Sequence, residues 1–140
     1  MIVIEEKIEW LKNQFSSLKT AEEKYQYLIL LGSQLPPFPK EEEIEANRVL
    51  GCQSLMYLST TCKDGLIFFN ASSDALISRG LAALLISVYS GMPSKVILTH
   101  TPSFLHELGI FASLTPSRSN GLMSLHLKMK QLSLKFIQNI

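Results

Sequence analysis

The chain has 140 residues, of which 46% are hydrophobic and 18% charged, with a formal net charge of +1. This is enough apolar material for one full core, so residues 1–140 are expected to form a single domain. A near-neutral charge balance gives no basic surface for nucleic acid. The N-terminal residues lack the features of a secretory signal, and the longest apolar run, Leu81 to Ile86, is far below the ~20 residues of a membrane span. We therefore expect a soluble, cytoplasmic protein without a nucleic-acid or membrane partner.

The first third of the chain predicts two helices and an extended segment. Apolar residues at three- and four-residue spacing give the first helix one face, made of Ile4, Ile8, Trp10, Leu11, Phe15 and Leu18. Thr20 followed by Glu23 is a capping box that opens the second helix, and Gly32 is a plausible end to it. The apolar face of that helix consists of Ala21, Tyr25, Leu28 and Ile29. The three prolines of the 35–39 segment exclude a helix there.

The middle of the chain predicts a hairpin followed by a buried helix. Asn47 to Val49 reads as a short strand before a loop at residues 51–54. Two β-favouring runs, 55–61 and 66–71, flank an Asp-Gly turn. Ser72 or Ser73 is expected to cap the next helix, which would place Asp74 in its first turn. That helix is apolar nearly all round and should be central. Gly91 and Pro93 should end it.

The last third predicts only helices. One or two short helices are expected between Ser94 and Leu108, and Pro116 suits the first turn of a final helix. The core face of that helix is expected to contain Leu122, Leu125, Met129, Leu132 and Phe136. The fold class that follows is α+β, a small antiparallel sheet packed by helices.

Cys52 stands in a loop after Gly51, and Cys62 falls at the far end of the following predicted strand. At ~3.3 Å per residue the two sulfurs would be about 25–30 Å apart, too far for a disulfide. Cys52 is therefore expected to be a free, accessible thiol, whereas Cys62 has no motif around it and is expected to be a buried structural residue.

Three motifs occur in order along the chain. They are Asn47-Arg48-Val49-Leu50-Gly51-Cys52-Gln53-Ser54, Ser73-Asp74-Ala75-Leu76-Ile77-Ser78-Arg79-Gly80-Leu81 and Leu114-Thr115-Pro116-Ser117-Arg118-Ser119-Asn120-Gly121-Leu122. Together they resemble the SufE family of sulfur-acceptor proteins, over nearly the whole chain. The family pattern after the cysteine commonly has Val-Trp, and Met56-Tyr57 stands there in this sequence. Both replacements are large and apolar, so the strand should pack, and the departure leaves open which desulfurase is the partner and not whether sulfur is transferred.

The resemblance implies a three-stranded antiparallel sheet packed by helices, similar to IscU-type scaffolds. It also implies that Cys52 accepts sulfur, as a persulfide, from a SufS-type cysteine desulfurase, stimulates that enzyme, and relays the sulfur to a scaffold complex of SufBCD type. The pyridoxal phosphate of this system belongs to the desulfurase, so the chain is expected to need no cofactor and to be no enzyme itself.

The same motifs suggest which neighbours serve the cysteine. Gly51, Gln53 and Ser54 are expected to contact the partner, as is Arg79, for which a solvent-facing role is an equal alternative. Arg118 is a candidate stabiliser of negative charge on sulfur, or an anchor for the loop.

Two other functions are open to a reactive cysteine. A cysteine-nucleophile hydrolase needs a nearby base, but none of His100, His106 and His126 stands in a catalytic motif, and each is expected on the surface or on a helix face. An iron–sulfur scaffold needs several thiolate ligands, which two distant cysteines cannot provide. The histidines and cysteines also lack zinc-site spacing, so no metal site is expected.

Overall fold

The computed structural model describes residues 3–51 and 54–137. In chain order the elements are α1 (Ile4–Ser16), α2 (Ala21–Ser33), β1 (Met56–Lys63), β2 (Leu66–Ser73), α3 (Leu76–Tyr89), β3 (Met92–Pro93), α4 (Ser94–Thr99), α5 (Phe104–Glu107) and α6 (Pro116–Ile137). Short 3-10 turns occupy Lys40–Glu42, Glu45–Asn47 and Phe111–Ser113. None of the helices in this part of the chain is long and apolar enough to cross a membrane.

The predicted hairpin is confirmed. Strands β1 and β2 pair antiparallel from Met56 opposite Ser73 to Lys63 opposite Leu66. The two residues between them, Asp64 and Gly65, have φ of 53° and 78°, the left-handed conformation that two-residue hairpin turns require. Strand β3 joins the other edge of β2, which gives the order β1-β2-β3. The α+β class and the three-stranded antiparallel sheet are therefore as predicted.

Helix α3 is the centre of the core, as its apolar sequence predicts. The buried residues of this helix are Gly80, Leu81, Ala82, Ala83, Leu84, Leu85, Val88 and Tyr89. It packs on β2 and lies very close to α2, because a Cβ at Gly80 would overlap the backbone carbonyl of Leu28. Glycine at position 80 is therefore required by the approach of the two helix backbones.

Several local predictions about the helices hold. The capping box is present, with Glu23 N donating to Thr20 Oγ1 at 3.1 Å and the Glu23 carboxylate accepting from the Thr20 backbone. Pro116 begins α6, on which Leu122, Leu125 and Met129 are buried. Leu132 and Phe136 are partly buried against the same core.

Two predictions about the first two helices are wrong in detail. Trp10 is 52% exposed and does not belong to the buried face of α1, which consists of Ile4, Leu11 and Phe15. Gly32 does not end α2. It is a buried residue of the last turn, because a side chain there would meet the backbone of Gly80 and Arg79.

Two further predictions, both beside the 51–54 loop, are corrected by the structure. Asn47 to Val49 is not a strand, since Asn47 ends a 3-10 turn and Arg48 makes only an isolated bridge with Tyr57. Ser72 and Ser73 do not cap α3, because β2 continues through Ser73 to stay paired with Met56 and the helix begins at Leu76.

Candidate functional site

The thiol that the sequence singles out, Cys52, and its neighbour Gln53 lie outside the described residues. Both flanks of the pair are described. On one side Gly51 has φ of 90°, a left-handed backbone that favours glycine. A Cβ at this position would also collide with Ser124 Oγ of α6. Backbone conformation and close approach both explain why the sequence has glycine directly before the cysteine.

The other flank is tied to the junction of β2 and α3. Ser54 Oγ donates to Ser78 Oγ at 2.9 Å, and Ser73 Oγ lies 3.5 Å from Ser54 Oγ. One residue further, Leu55 N donates to the Asp74 carboxylate at 3.2 Å. The carboxylate of Asp74 therefore holds the start of β1 and does not lie in the first helical turn, where the sequence had placed it.

A pocket of about 130 Å³ opens beside this second flank. It is lined by Ser54, Met56, Ala75, Ser78, Leu81, Ser117, Arg118, Gly121, Leu122 and Leu125. Its floor is apolar and its rim carries three serines and one arginine. An atom such as sulfur, which is apolar when protonated and anionic when reactive, suits a wall of this composition.

The pocket lies against the N-terminal ends of two helices. Ala75 is the N-cap of α3 and Ser78 is in the first turn of that helix, while Ser117 and Arg118 are in the first turn of α6. The N-terminus of a helix carries about half a positive charge. Both helix dipoles and the guanidinium of Arg118 therefore favour a negative charge at this place.

Arg118 is positioned by its neighbours as well as by the helix. Its guanidinium lies 6.0 Å from the ring centroid of Tyr25 on α2, a cation–π distance. The hydroxyl of Tyr25 in turn donates to the carbonyl of Ser113. At the start of α6, Arg118 N donates to Thr115 Oγ1 at 3.3 Å. The side chain is exposed, so it can meet a charge at the pocket mouth.

Arg79, the other arginine singled out by the sequence, is not part of this pocket. Its Nη2 donates to the Ser73 carbonyl at 3.0 Å. The residue lines a second cavity, of about 260 Å³, which is formed by Gly32, Ser33, the 35–38 segment, Ala71 and Ser72. The structure thus brings Ser54 and Arg118 together at the first pocket, places Gly51 against Ser124 of α6, and leaves Arg79 at a second cavity.

Met56 and Tyr57, which stand where the family pattern has Val-Trp, pack in the strand as expected. Met56 is buried and forms part of the first pocket. Tyr57 is half-buried, and its ring stacks on Phe38 with centroids 6.4 Å apart. Strand β1 therefore packs normally with these residues.

The histidines lie away from the pocket. His106 is exposed, and His100 is half-buried with Nδ1 2.9 Å from the Tyr89 hydroxyl. His126 is buried on the core face of α6, so of the two expected positions it has the helix face and not the surface, and its burial lowers its pKa to about 4. None of the described residues that line the pocket is a histidine. No group of three potential metal ligands occurs within residues 3–51 and 54–137.

Cys62 is exposed, so a buried structural thiol is wrong for that position. It stands near the hairpin tip, opposite Ile67. Met56 is six residues away along β1, or about 20 Å at ~3.3 Å per residue. Cys62 is thus remote from the pocket at the start of that strand.

Three residues of the site were not singled out by the sequence. Ser78 and Ser124 hold the two flanks of the loop, and Tyr25 supports Arg118 from another helix. Ser78 belongs to the 73–81 motif, so its position in that motif could have identified it from the sequence. Ser124 and Tyr25 contact the site only through the tertiary fold.

Comparison with known proteins agrees with these motifs. Residues 9–133 match the family model described as SufE, Fe-S metabolism associated domain. The chain belongs to the SufE family. This confirms the resemblance and the fold that it implies.

Individual relatives support the assignment. The chain is 37% identical over 119 residues to the sulfur acceptor protein CsdE of Escherichia coli, covering 84% of this chain and 81% of CsdE. It is 36% identical over 113 residues to a SufE-like protein of Synechocystis, covering 81% and 71% of the two chains. A chloroplastic/mitochondrial SufE-like protein of Arabidopsis thaliana is 35% identical over 126 residues, which are 89% of this chain and 34% of the plant protein.

A solved structure shows the same fold. The solution structure of a hypothetical protein from Thermus thermophilus superposes with a TM-score of 0.79, covering 94% of this chain and 96% of that one. The identity is 24%, so the likeness concerns the fold alone.

Proposed function

We propose that this SufE-family protein is a single-domain sulfur acceptor whose Cys52 takes sulfur from the persulfide of a cysteine desulfurase. The observation that carries the proposal is the pocket beside the 51–54 loop, with an apolar floor and a rim at two helix N-termini and Arg118. The similarity to CsdE, which is named a sulfur acceptor, supports the same function.

The transfer is an exchange without net oxidation. The Cys52 thiolate attacks the outer sulfur of the desulfurase persulfide and forms a new S–S bond. The S–S bond within the desulfurase persulfide breaks, and its cysteine leaves as a thiolate. One sulfur atom with its proton has moved to Cys52, and no external oxidant or reductant is needed. A later acceptor thiolate repeats the reaction.

The pocket offers a place for the sulfur between transfers. Cys52 stands two residues before Ser54 in the sequence. Ser54 itself lines the pocket. A persulfide held against the apolar floor is protected from other cellular thiols, and partner binding would then expose it. Gly51 and Ser54 act in this scheme as the fixed ends of the two-residue connection that carries the thiol.

Arg118 and the two helix ends supply the electrostatic part of the proposal. An apolar wall disfavours the thiolate, and a thiol is a poor nucleophile. The guanidinium and the N-terminal dipoles of α3 and α6 compensate by favouring the anion. Gln53 and Arg79 are proposed to contact the partner; the exposed part of Arg79 is next to the 35–38 segment.

The partners follow from this chemistry. A sulfur acceptor requires a donor, which we propose to be a SufS-type desulfurase carrying its own pyridoxal phosphate, and whose turnover rises when Cys52 removes the sulfur. The proposed receiver is a scaffold complex of SufBCD type in the cytoplasm. Met56 and Tyr57, at the start of β1, are the positions at which partner choice is expected to differ from that of other members.

The proposal is tested with three proteins: the wild type, Cys52→Ser and Cys62→Ser. Each is incubated with a SufS-type desulfurase and free cysteine, and desulfurase turnover and intact protein mass are measured. The wild type and Cys62→Ser should gain sulfur and stimulate the enzyme, whereas Cys52→Ser should do neither. Sulfur uptake by Cys52→Ser at the wild-type rate would contradict the proposal.

A further inference from the structure

A second groove lies on the α6 side of the 51–54 loop. It has a volume of about 160 Å³ and is lined by Arg48, Leu50, Ser124, Leu127, Lys128 and Gln131. Ser124 is the residue against which Gly51 is packed. The groove is therefore continuous with the loop and lies outside the pocket assigned to the sulfur.

The groove combines exposed apolar side chains with basic ones. Leu50 is 69% exposed and Leu127 is 56% exposed. Arg48 and Lys128 lie beside them. Within residues 3–51 and 54–137 the only ion pair joins Lys12 to Glu107, so neither Arg48 nor Lys128 forms an ion pair with a carboxylate in that part of the chain.

All charged side chains of α6 are basic. The 22 residues of this helix contain Arg118, Lys128, Lys130 and Lys135. All 12 acidic residues of the chain are outside it, although the whole chain has a net charge of only +1. A partner that covers the groove is thus favoured if its surface is acidic.

We propose that this groove docks an acidic surface segment of the desulfurase, with one apolar side chain seated between Leu50 and Leu127 and carboxylates facing Arg48 and Lys128. The inference rests on the proposed function, which makes a desulfurase approach this loop. A protein segment fits better than a membrane, because Leu50 and Leu127 line a concave groove. A helix that binds a bilayer presents a broad apolar face instead.

Such a contact would speed the association of the two proteins and orient the desulfurase on the loop. Charges at the rim steer the encounter and fix the orientation of the partner. A partner seated on Leu127 and Leu50 presses on the flank that precedes Cys52.

The test compares matched variants of the full chain. The double variant Arg48→Glu/Lys128→Glu reverses the charge of the groove. Its control, Lys63→Glu/Lys95→Glu, makes the same change of net charge at two exposed lysines in β1 and α4. Leu127→Ser is paired with Leu30→Ser on α2, which has a similar exposure of 51%. Urea unfolding of all four verifies that they fold.

Binding to the desulfurase that loads Cys52 is measured by calorimetry at low and high salt. We expect the groove variants to bind at least about tenfold more weakly at low salt, with a reduced salt dependence for the charge reversal, and the controls to bind within about twofold of the wild type. If the wild type gains no sulfur at Cys52, the proposed function fails and this inference with it. If the wild type is loaded but the groove variants bind as tightly as their controls, the docking inference alone is wrong.

Two other occupants are tested with the same proteins. Vesicles containing phosphatidylglycerol should not bind the wild type, and sedimentation should show no self-association that the groove variants abolish. Binding of vesicles through the groove, or dimerisation through it, would overturn the assignment to the desulfurase.

Discussion

Gly51 packs directly against Ser124 of α6, so closely that a single added methyl group would overlap the serine hydroxyl. The same glycine has a left-handed backbone, with φ of 90°. The residue before the proposed sulfur acceptor is thus held by a helix that also lines the sulfur pocket and the docking groove. This contact links the loop to both surfaces.

Replacing Gly51 with alanine should impair the loop more than the fold. The positive φ costs about 1–2 kcal/mol of unfolding free energy for a residue with a Cβ, and the added methyl group forces either the Ser124 hydroxyl or the loop to move. Gly65→Ala is the control, because Gly65 has φ of 78° but nothing within 4 Å of its added Cβ. Urea unfolding should show losses of similar size, whereas persulfide loading should slow only in Gly51→Ala. Equal loading rates for the two variants would show that the contact with Ser124 is unimportant.

Arg118 should affect the chemistry of Cys52 and not the stability of the fold. Its side chain is exposed at the pocket, and its lost cation–π contact with Tyr25 is worth only ~0.5–1 kcal/mol at such a site. In Arg118→Ala, Cys52 should react with iodoacetamide and accept sulfur about tenfold more slowly at neutral pH, because less of its thiolate is present. Arg118→Lys should recover part of both rates, since the positive charge is retained. A wild-type alkylation rate in Arg118→Ala would remove the arginine from the mechanism.

Gly80→Ala should destabilise the protein, although alanine is normally the better residue within a helix. The usual gain is about 1 kcal/mol. Here the new methyl group would overlap the backbone of Leu28, which has little freedom to move, and overpacking costs about 1–3 kcal/mol or more. The net result should be a loss of up to roughly 2 kcal/mol in urea unfolding. Ser87→Ala in the same helix should change stability by less than about 0.5 kcal/mol; a stabilised Gly80→Ala would contradict the close approach of α2 and α3.

His126 should make the protein acid-sensitive. Burial, with smaller contributions from Lys130 and His100, lowers its pKa from 6.5 to about 4, and Nε2 has no hydrogen-bond partner among the described residues. Below pH 6.5 His126 binds a proton in the unfolded chain but stays neutral in the folded one. The free energy of unfolding therefore falls as the pH drops from 6.5 towards 4, and this effect then levels off.

The loss attributable to this one group is roughly 2–4 kcal/mol. It is measured as the difference between the pH dependences of unfolding of the wild type and His126→Met, because the carboxylates contribute equally to both. The two curves should diverge between pH 6.5 and 4. Parallel curves over that range would show that His126 ionises freely in the folded protein.

The features predicted correctly from sequence are those fixed by neighbouring residues. The capping box of Thr20 and Glu23 and the Asp64-Gly65 turn are local interactions, and both are present. The resemblance to the SufE family, carried by three short motifs, is confirmed by the match of residues 9–133 to that family. The burial of His126 was not predicted, although the residue follows Leu122 by four positions and precedes Met129 by three, on the core face of α6.

The features that were missed depend on distant parts of the chain. Strand β3 has only two residues, Met92 and Pro93, and exists because they reach the edge of β2. Ser73 resembles a helix cap but remains in β2, because Met56 pairs with it. The support of Arg118 by Tyr25 and of Gly51 by Ser124 likewise depends on helix packing, which spacing along the sequence does not reveal.

The central claim is that the transferred sulfur resides on Cys52, and peptide mapping after a single turnover tests it most directly. The wild type is mixed with a desulfurase loaded with one equivalent of sulfur, trapped with an alkylating agent that preserves persulfides, digested, and analysed by mass spectrometry. We expect the extra sulfur on the peptide containing Cys52 and none on the peptide containing the exposed Cys62. Sulfur found mainly on Cys62, or equally on both, would contradict it.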